Sequence, residues 1–213
     1  VVTAGPTRGW IDRVRFISNP STGKMGIAVA EELIRRGATV SLVLGPTSEQ
    51  GPDLAEIHRV TTSKEMLDTV MAELSAHKTD GFVSAAAVLD YIPAKKEETK
   101  LASGAESLSI ELVPTAKIIE EARKKHKDLF IVGFKVEAGV TDEQLASRAR
   151  TKIEAGTCDL VVANDSQRKG VAFGTDTNAV LIVGAKDFTK SVNLAPKREI
   201  ARHIVDEIVE RMN

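Results

Sequence analysis

What constrains this chain most is a repeated switch between short β-branched runs and stretches of helical periodicity. VVTAG at the start reads as a short buried strand, ended by the turn residues Gly5, Pro6 and Thr7. From Lys24 to Arg36 the apolar set Met25, Ala28, Val29 and Leu33 recurs at helical spacing, and Arg35, Arg36 and Gly37 form a stop signal. Thr39 to Leu44 (TVSLVL) is a β-branched strand closed by Gly45 and Pro46. Strand, helix, strand in this order makes parallel neighbours, because parallel pairing needs a crossover connection. The rhythm continues with a short strand near 57–60 and a helix from the capping pair Thr62 and Glu65 to about His77. A buried strand over Gly81 to Ala87 follows, then an alternating strand over Ser107 to Val113, helix 115–126 and strand 129–134. Helix 142–155, strands 159–163, 178–183 and 188–192, and helix 196–212 complete the series.

Such an order predicts an α/β fold: three α/β/α layers, Rossmann-like, around a mostly parallel central sheet. With 213 residues, no internal repeat and no linker, residues 1–213 are expected to form one domain. Residues 93–104 (PAKKEETKLASG) are hydrophilic and punctuated by Pro and Gly, which reads as a mobile loop. The formal charge is -1, so no general attraction to nucleic acid or an anionic membrane follows, and an anionic ligand must be held locally. Cys158 is the only cysteine, which excludes an internal disulfide and suits a reducing compartment. No apolar run approaches membrane-spanning length, and a cytoplasmic protein is expected.

The loop SNPSTGKMG, Ser18 to Gly26, invites a phosphate-loop reading. It fails the Walker pattern at both ends, where Ser18 replaces glycine and Met25 replaces the magnesium-holding hydroxyl. It also lacks the glycine triplet of dinucleotide-binding turns. Small residues ahead of a helix can still converge N–H donors on an anion with the helix dipole assisting. A plain turn shaped by glycines is an equal alternative from composition, and Lys24 could simply begin the helix. Asn19 adds an amide donor at the end of the sheet where open α/β folds bind ligands.

Six segments in order make the chain resemble the phosphopantothenate–cysteine ligase (phosphopantothenoylcysteine synthetase) family: TAGPTR, SNPSTGKMG, AAAVLDY, VGFKVE, DLVVAND and AFGTDTNAV. The resemblance runs over essentially the whole chain. It implies an enzyme of coenzyme A biosynthesis that uses CTP to activate the carboxylate of 4′-phosphopantothenate as an acyl-cytidylate. The cysteine amine then attacks, and pyrophosphate and CMP leave. Magnesium is implied with the nucleotide, and a homodimer is implied, with Ser107 to Val113 a place for subunits to meet. Many such proteins carry a flavin-dependent decarboxylase domain ahead of this one; none is present here, so no flavin is expected in this chain.

Carried over residue by residue, the resemblance makes Asn19 the amide that stabilises the acyl-cytidylate, where an Asp would be severely damaging. Ser84, Ala85, Ala86 and Asp90 would let the nucleotide approach the backbone and hold ribose hydroxyls or a metal. Ile131, Val132, Gly133 and Phe134 would lie near the cytosine, and Lys152 near the triphosphate. Asn164, Asp165, Asp176 and Asn178 are weaker candidates. The family's K-x-K-K cluster is degraded here to Glu98-Thr99-Lys100-Leu101. Lys100 is expected to act, with help from Lys96. The bland alternatives are a turn asparagine at 19, tight packing at the alanines, a core Phe134 and a solvated lysine loop. His58, His77, His126 and His203 show no metal-ligand spacing, and no protein metal site is expected. The rivals are an NAD(P)-dependent oxidoreductase, weakened by the missing glycine fingerprint, and a non-enzymatic nucleotide-binding domain.

Overall fold

The computed structural model describes residues 1–104, 106–171 and 173–212. An eight-stranded sheet forms its centre, in the order β12-β11-β10-β9-β6-β1-β4-β5. These strands are β1 (Val2–Ala4), β4 (Ser41–Leu44), β5 (Glu56–Arg59), β6 (Gly81–Ser84), β9 (Phe130–Glu137), β10 (Leu160–Asp165), β11 (Thr177–Gly184) and β12 (Thr189–Pro196). All pairs from β5 across to β10 are parallel, and at the other edge β11 pairs antiparallel with both β10 and β12, so that β11 alone runs against the rest. The expected mostly parallel sheet is the observed one.

Helices cover both faces, and the alternation of side chains along each strand divides the core between them. On one face α1 (Lys24–Arg35) and α5 (Lys197–Met212) pack over Val2, Ala4, Leu42, Leu44, Val132, Leu160 and Val162. On the other, α2 (Ser63–Ala76), α3 (Ile118–Lys125) and α4 (Asp142–Glu154) pack over Val43, Phe82, Ile131, Val161 and Ala163. Capping boxes start α2 at Thr62 with Glu65 and α4 at Thr141 with Gln144, so both helix starts are fixed by the local sequence.

The chain runs outward from β1 through β4 to β5, then returns to the opposite side of β1 with β6 and proceeds to β9 and β10. Strand order thus reverses between β1 and β6, which leaves a crevice at their carboxyl ends.

Two small antiparallel pairs lie outside this frame: β2 (Arg8–Trp10) with β3 (Phe16–Ser18), and β7 (Tyr91–Pro93) with β8 (Leu112–Pro114). The strand expected over 107–113 is corrected by β8, which begins only at Leu112. Residues 107–111 lie in no strand among the described residues, with Glu111 O accepting from Ala94 N at 2.9 Å just beyond the β7–β8 pair, and Leu108, Ile110 and Leu112 are exposed. Alternation there marks an apolar surface without a sheet beneath it. The strand read over 81–87 stops at Ser84, because the following residues leave the sheet to wall the crevice.

Candidate functional site

A cleft of about 510 Å³ opens at that crevice. Its walls are held by the first loop of the chain. Thr3 Oγ1 accepts from Ala86 N at 3.3 Å, Gly5 O from Ala87 N at 2.9 Å, and the buried Thr7 Oγ1 from Leu89 N at 3.0 Å. Thr7 also shares a 2.9 Å hydrogen bond with Ser63 Oγ, which ties the loop to α2. The segment resembling TAGPTR is therefore the scaffold on which the AAAVLDY segment rests.

The start of α1 enters the same cleft. Gly23 has φ 82°, a left-handed conformation that favours glycine, and a Cβ there would lie 3.2 Å from Gly5 N. At Gly26 a Cβ would lie 2.7 Å from Ala4 Cβ and 2.9 Å from Thr3 O, so the missing side chain lets α1 press onto β1. No side chain caps this helix start, and its first turn holds no acidic residue. The positive end of the helix dipole thus faces the cleft with no acidic residue of its own first turn against it.

Five lysines (Lys24, Lys117, Lys135, Lys152 and Lys197) line the cleft against two carboxylates, Asp90 and Glu120. Lys24, Lys117 and Lys135 are paired with Asp176, Asp90 and Glu137. Among the described residues Lys152 and Lys197 have no carboxylate at ion-pair distance, and they leave the cleft positive charge to draw an anion. Lys24 Nζ lies 2.6 Å from Asp176 Oδ1 and 3.9 Å from Glu49 Oε1. The hydrogen bond to Asp176 and the two nearby negative charges raise the Lys24 pKa, against some opposing burial, and the same bond lowers that of Asp176. Lys197, at the start of α5, donates to Thr175 O. Burial, reinforced by the charge of Lys24, lowers its pKa, and Asp176 and Glu49 counteract only in part. Both lysines fasten the 175–176 turn over the start of α1.

Of the residues expected from sequence, Asn19, Ser84, Ala85, Ala86, Asp90, Phe134 and Lys152 come together along this cleft, with Asn164 and Asn178. Asn19 Nδ2 donates to Ala87 O at 3.0 Å and Val88 O at 3.3 Å, pinning the wall that carries Asp90. Asp90 is 69% exposed and paired with Lys117. Asn164 is buried, and among the described residues its side-chain amide has no hydrogen-bond partner, leaving a donor and an acceptor for a ligand. Asn178 accepts from Ala179 N at 3.0 Å.

Ile131, Val132 and Gly133 do not line the cleft. Ile131 and Val132 are core residues on opposite faces of β9, and Gly133 is needed because a Cβ would lie 2.7 Å from Cys158 Sγ. Cys158 is a buried packing residue, and burial raises its thiol pKa. Asp165 is structural: its carboxylate accepts from Gly139 N, Gln167 N and Val140 N, which hold it below the usual carboxylate range. Ala172, which opens the AFGTDTNAV segment, lies outside the described residues.

Lys96 and Lys100 are also outside the cleft. Their segment lies on the β2–β3 hairpin: Glu97 N donates to Ile11 O at 2.9 Å, and Leu101 N to Asp12 Oδ2 at 3.1 Å. Arg13 Nε donates to Glu98 O at 2.5 Å, and its guanidinium lies 3.4 Å from the Glu98 carboxylate. Glu98, the departure from the family's lysine cluster, is thus a partner of Arg13. Lys96 Nζ lies 5.7 Å from the centre of the Trp10 ring, and Lys100 is exposed. Sequence reasoning missed Lys197 and discounted Lys24. Both begin helices, and only the packing of α1 beside α5 brings them to one place.

A profile described as the DNA/pantothenate metabolism flavoprotein C-terminal domain matches residues 1–212. The chain belongs to this family. The resemblance to phosphopantothenate–cysteine ligases drawn from the six segments is borne out. The coenzyme A biosynthesis bifunctional protein CoaBC of Thermococcus kodakarensis is 44% identical over 209 residues, covering 98% of this chain and 50% of that protein. A crystal structure of the C-terminal domain of a CoaBC protein superposes with TM-score 0.79 at 30% identity, over 97% of this chain and 91% of that one. A Cab2 variant in complex with phosphopantothenate-cysteine shares the fold, with TM-score 0.77 at 17% identity over 99% of this chain and 84% of that one. The chain spans about half the length of the curated relatives it matches. Among the described residues no helix is long and apolar enough to cross a membrane.

Proposed function

We propose that this cleft joins 4′-phosphopantothenate to cysteine, with CTP activating the carboxylate. The carboxylate oxygen attacks the α-phosphorus of the nucleotide, a P–O bond forms, and pyrophosphate leaves. The cysteine nitrogen then attacks the acyl carbon, loses a proton to solvent, and CMP departs with the C–O bonding pair. Bringing a carboxylate against a triphosphate requires positive charge fixed in advance. The observation that carries the reading is the convergence of five lysines and the uncapped start of α1 on one cleft.

In this reading Lys24, Lys152 and Lys197 neutralise the phosphates, and Phe134 lies against the base. Ser84, Ala85 and Ala86, all small, let the nucleotide approach the backbone beyond β6. Asn19 holds the 87–88 wall, and can turn one amide N–H from Ala87 or Val88 to the acyl-cytidylate. Asn164 offers its unpartnered amide to the same ligand. Magnesium fits this set to the extent that it commonly takes one or two carboxylates together with substrate phosphates. Asp90 would hold it, and bound there it would neutralise charge on the phosphates. Lys100 and Lys96 would reach the cleft only by release of the 95–101 segment from the hairpin. We further place the enzyme in the cytoplasm, with residues 1–213 acting as one domain. It would act as a homodimer that buries the exposed Tyr91, Leu108, Ile110 and Leu112.

The test is pyrophosphate release from 4′-phosphopantothenate, cysteine, magnesium and CTP, with ATP in parallel. Release that requires both phosphopantothenate and a nucleotide supports the reading, and release independent of phosphopantothenate removes it.

A further inference from the structure

At the opposite, amino end of the parallel strands a second cavity of about 690 Å³ is lined by residues including Glu56, Glu73, His77 and Asp80. Glu56 and His58 stand two apart on β5 and so project from the same face of this edge strand. Glu73 reaches them from α2. His58 Nε2 lies 3.3 Å from Glu73 Oε1 and 3.5 Å from Glu56 Oε1, and ligand atoms of all three residues fall within 4.8 Å of one another.

We propose that Glu56, His58 and Glu73 bind a divalent transition-metal cation such as Zn²⁺, clamping β5 to α2. Three observations point the same way. Charge-assisted N–H···O bonds are normally about 2.7–2.9 Å, whereas ligands about 2.0–2.1 Å from a tetrahedral zinc stand about 3.4 Å apart, close to the 3.3 and 3.5 Å from His58 Nε2 to the two glutamates. Second, His58 Nε2 and Glu73 Oε2 are buried atoms with no hydrogen-bond partner, although the Glu73 side chain is only 12% exposed. Buried polar atoms are normally satisfied, and a metal held by His58 Nε2 and by both oxygens of the Glu73 carboxylate would satisfy them. Third, among the described residues neither glutamate forms an ion pair with lysine or arginine. One imidazole with two carboxylates suits zinc, and the side toward the 65% exposed Glu56 leaves room for a water ligand. The absence of ligand spacing among the histidines stands: the third ligand comes from another element.

Metal-stripped protein is titrated with Zn²⁺ by calorimetry and with Co²⁺ by visible absorption, in the wild type and in His58→Gln and Glu73→Gln. A single equivalent bound by the wild type is expected. Affinity should fall in each variant by more than the roughly tenfold that even outer-shell partners are worth, and the tetrahedral Co²⁺ bands should be lost. Far-UV circular dichroism establishes that the variants fold. Independently of any variant, one equivalent of Zn²⁺ should shift the His58 imidazole resonances of the wild type. Unchanged affinity in folded variants, or His58 resonances indifferent to Zn²⁺, overturns the proposal in favour of a metal-free contact between His58 and the two glutamates.

Discussion

Replacing Gly26 by Ala sets two effects of opposite sign against each other. Alanine improves helix propensity over glycine by about 1 kcal/mol in a helix interior, and less at the third residue of α1. The new methyl would lie 2.7 Å from Ala4 Cβ, 2.9 Å from Thr3 O and 3.1 Å from Ala4 Cα. None of these atoms belongs to a flexible side chain, so α1 must retreat from β1 by about half an ångström or more. Overpacking of this kind costs about 1–3 kcal/mol, and three contacts against a strand place it at the upper end. The net loss is then about 2 kcal/mol, or a melting temperature lower by about 4–8 °C for a chain of this length. Displacing α1 also moves Lys24 and the helix start, so KM for the nucleotide should rise more than kcat falls. Thermal melting and initial-rate kinetics read both effects. A Gly26→Ala protein as stable as the wild type, or more so, would refute the claim that α1 is pressed onto β1.

Asn19→Ala removes two hydrogen bonds to Ala87 and Val88, and Asn19→Asp adds a carboxylate facing the same carbonyls. Those two bonds are a stability loss of about 1 kcal/mol each, whereas an amide N–H to the charged acyl-cytidylate is worth about 1.5 kcal/mol or more. The alanine variant should therefore lose at least roughly tenfold in kcat/KM and the aspartate variant more, with equal losses pointing away from the repulsion. Lys24→Ala should raise nucleotide KM at least roughly tenfold, as expected for a charged hydrogen bond. Asp176→Asn, which frees Lys24, should lower it, and the reverse order in steady-state kinetics would contradict the assignment. Asp12 is buried at the hairpin tip. Burial alone would raise its pKa, but hydrogen bonds from Val14, Arg15 and Leu101 N–H and the Arg15 charge lower it from 3.8 to about 2. Its contribution is therefore present above about pH 4 and is lost as pH falls through 2. Asp12→Asn should flatten acid unfolding between those values, and an unchanged acid limb would show that the carboxylate does not hold the 97–101 segment.

The central sheet was legible because most of its parallel strands carry an apolar or β-branched run and the crossovers through α1, α2, α3 and α4 a helical period, β5 being the polar exception, reached from β4 without a helix. The β2–β3 and β7–β8 pairs were not, since strands of three residues show no alternation and these make no two-residue turn. Leu108 and Ile110 misled for the opposite reason: their alternation is genuine, but it marks an exposed apolar face. In the site, Ala85, Ala86 and Asp90 could be placed because the resemblance names one contiguous segment, AAAVLDY, that carries all three. Lys24 and Lys197 stand 173 positions apart, the difference of their residue numbers, and only the packing of two helices unites them. Glu98 looked like a defect in a lysine cluster until Arg13 was seen beside it.

The central claim is that the positive cleft activates a carboxylate on a nucleotide. Its most direct test is the reaction run with 4′-phosphopantothenate, CTP and magnesium but without cysteine, followed by mass spectrometry of the quenched enzyme mixture. The account predicts an acyl-cytidylate, with pyrophosphate released in equal amount, and its consumption on adding cysteine. CTP left intact in the presence of phosphopantothenate, with and without cysteine, would contradict it.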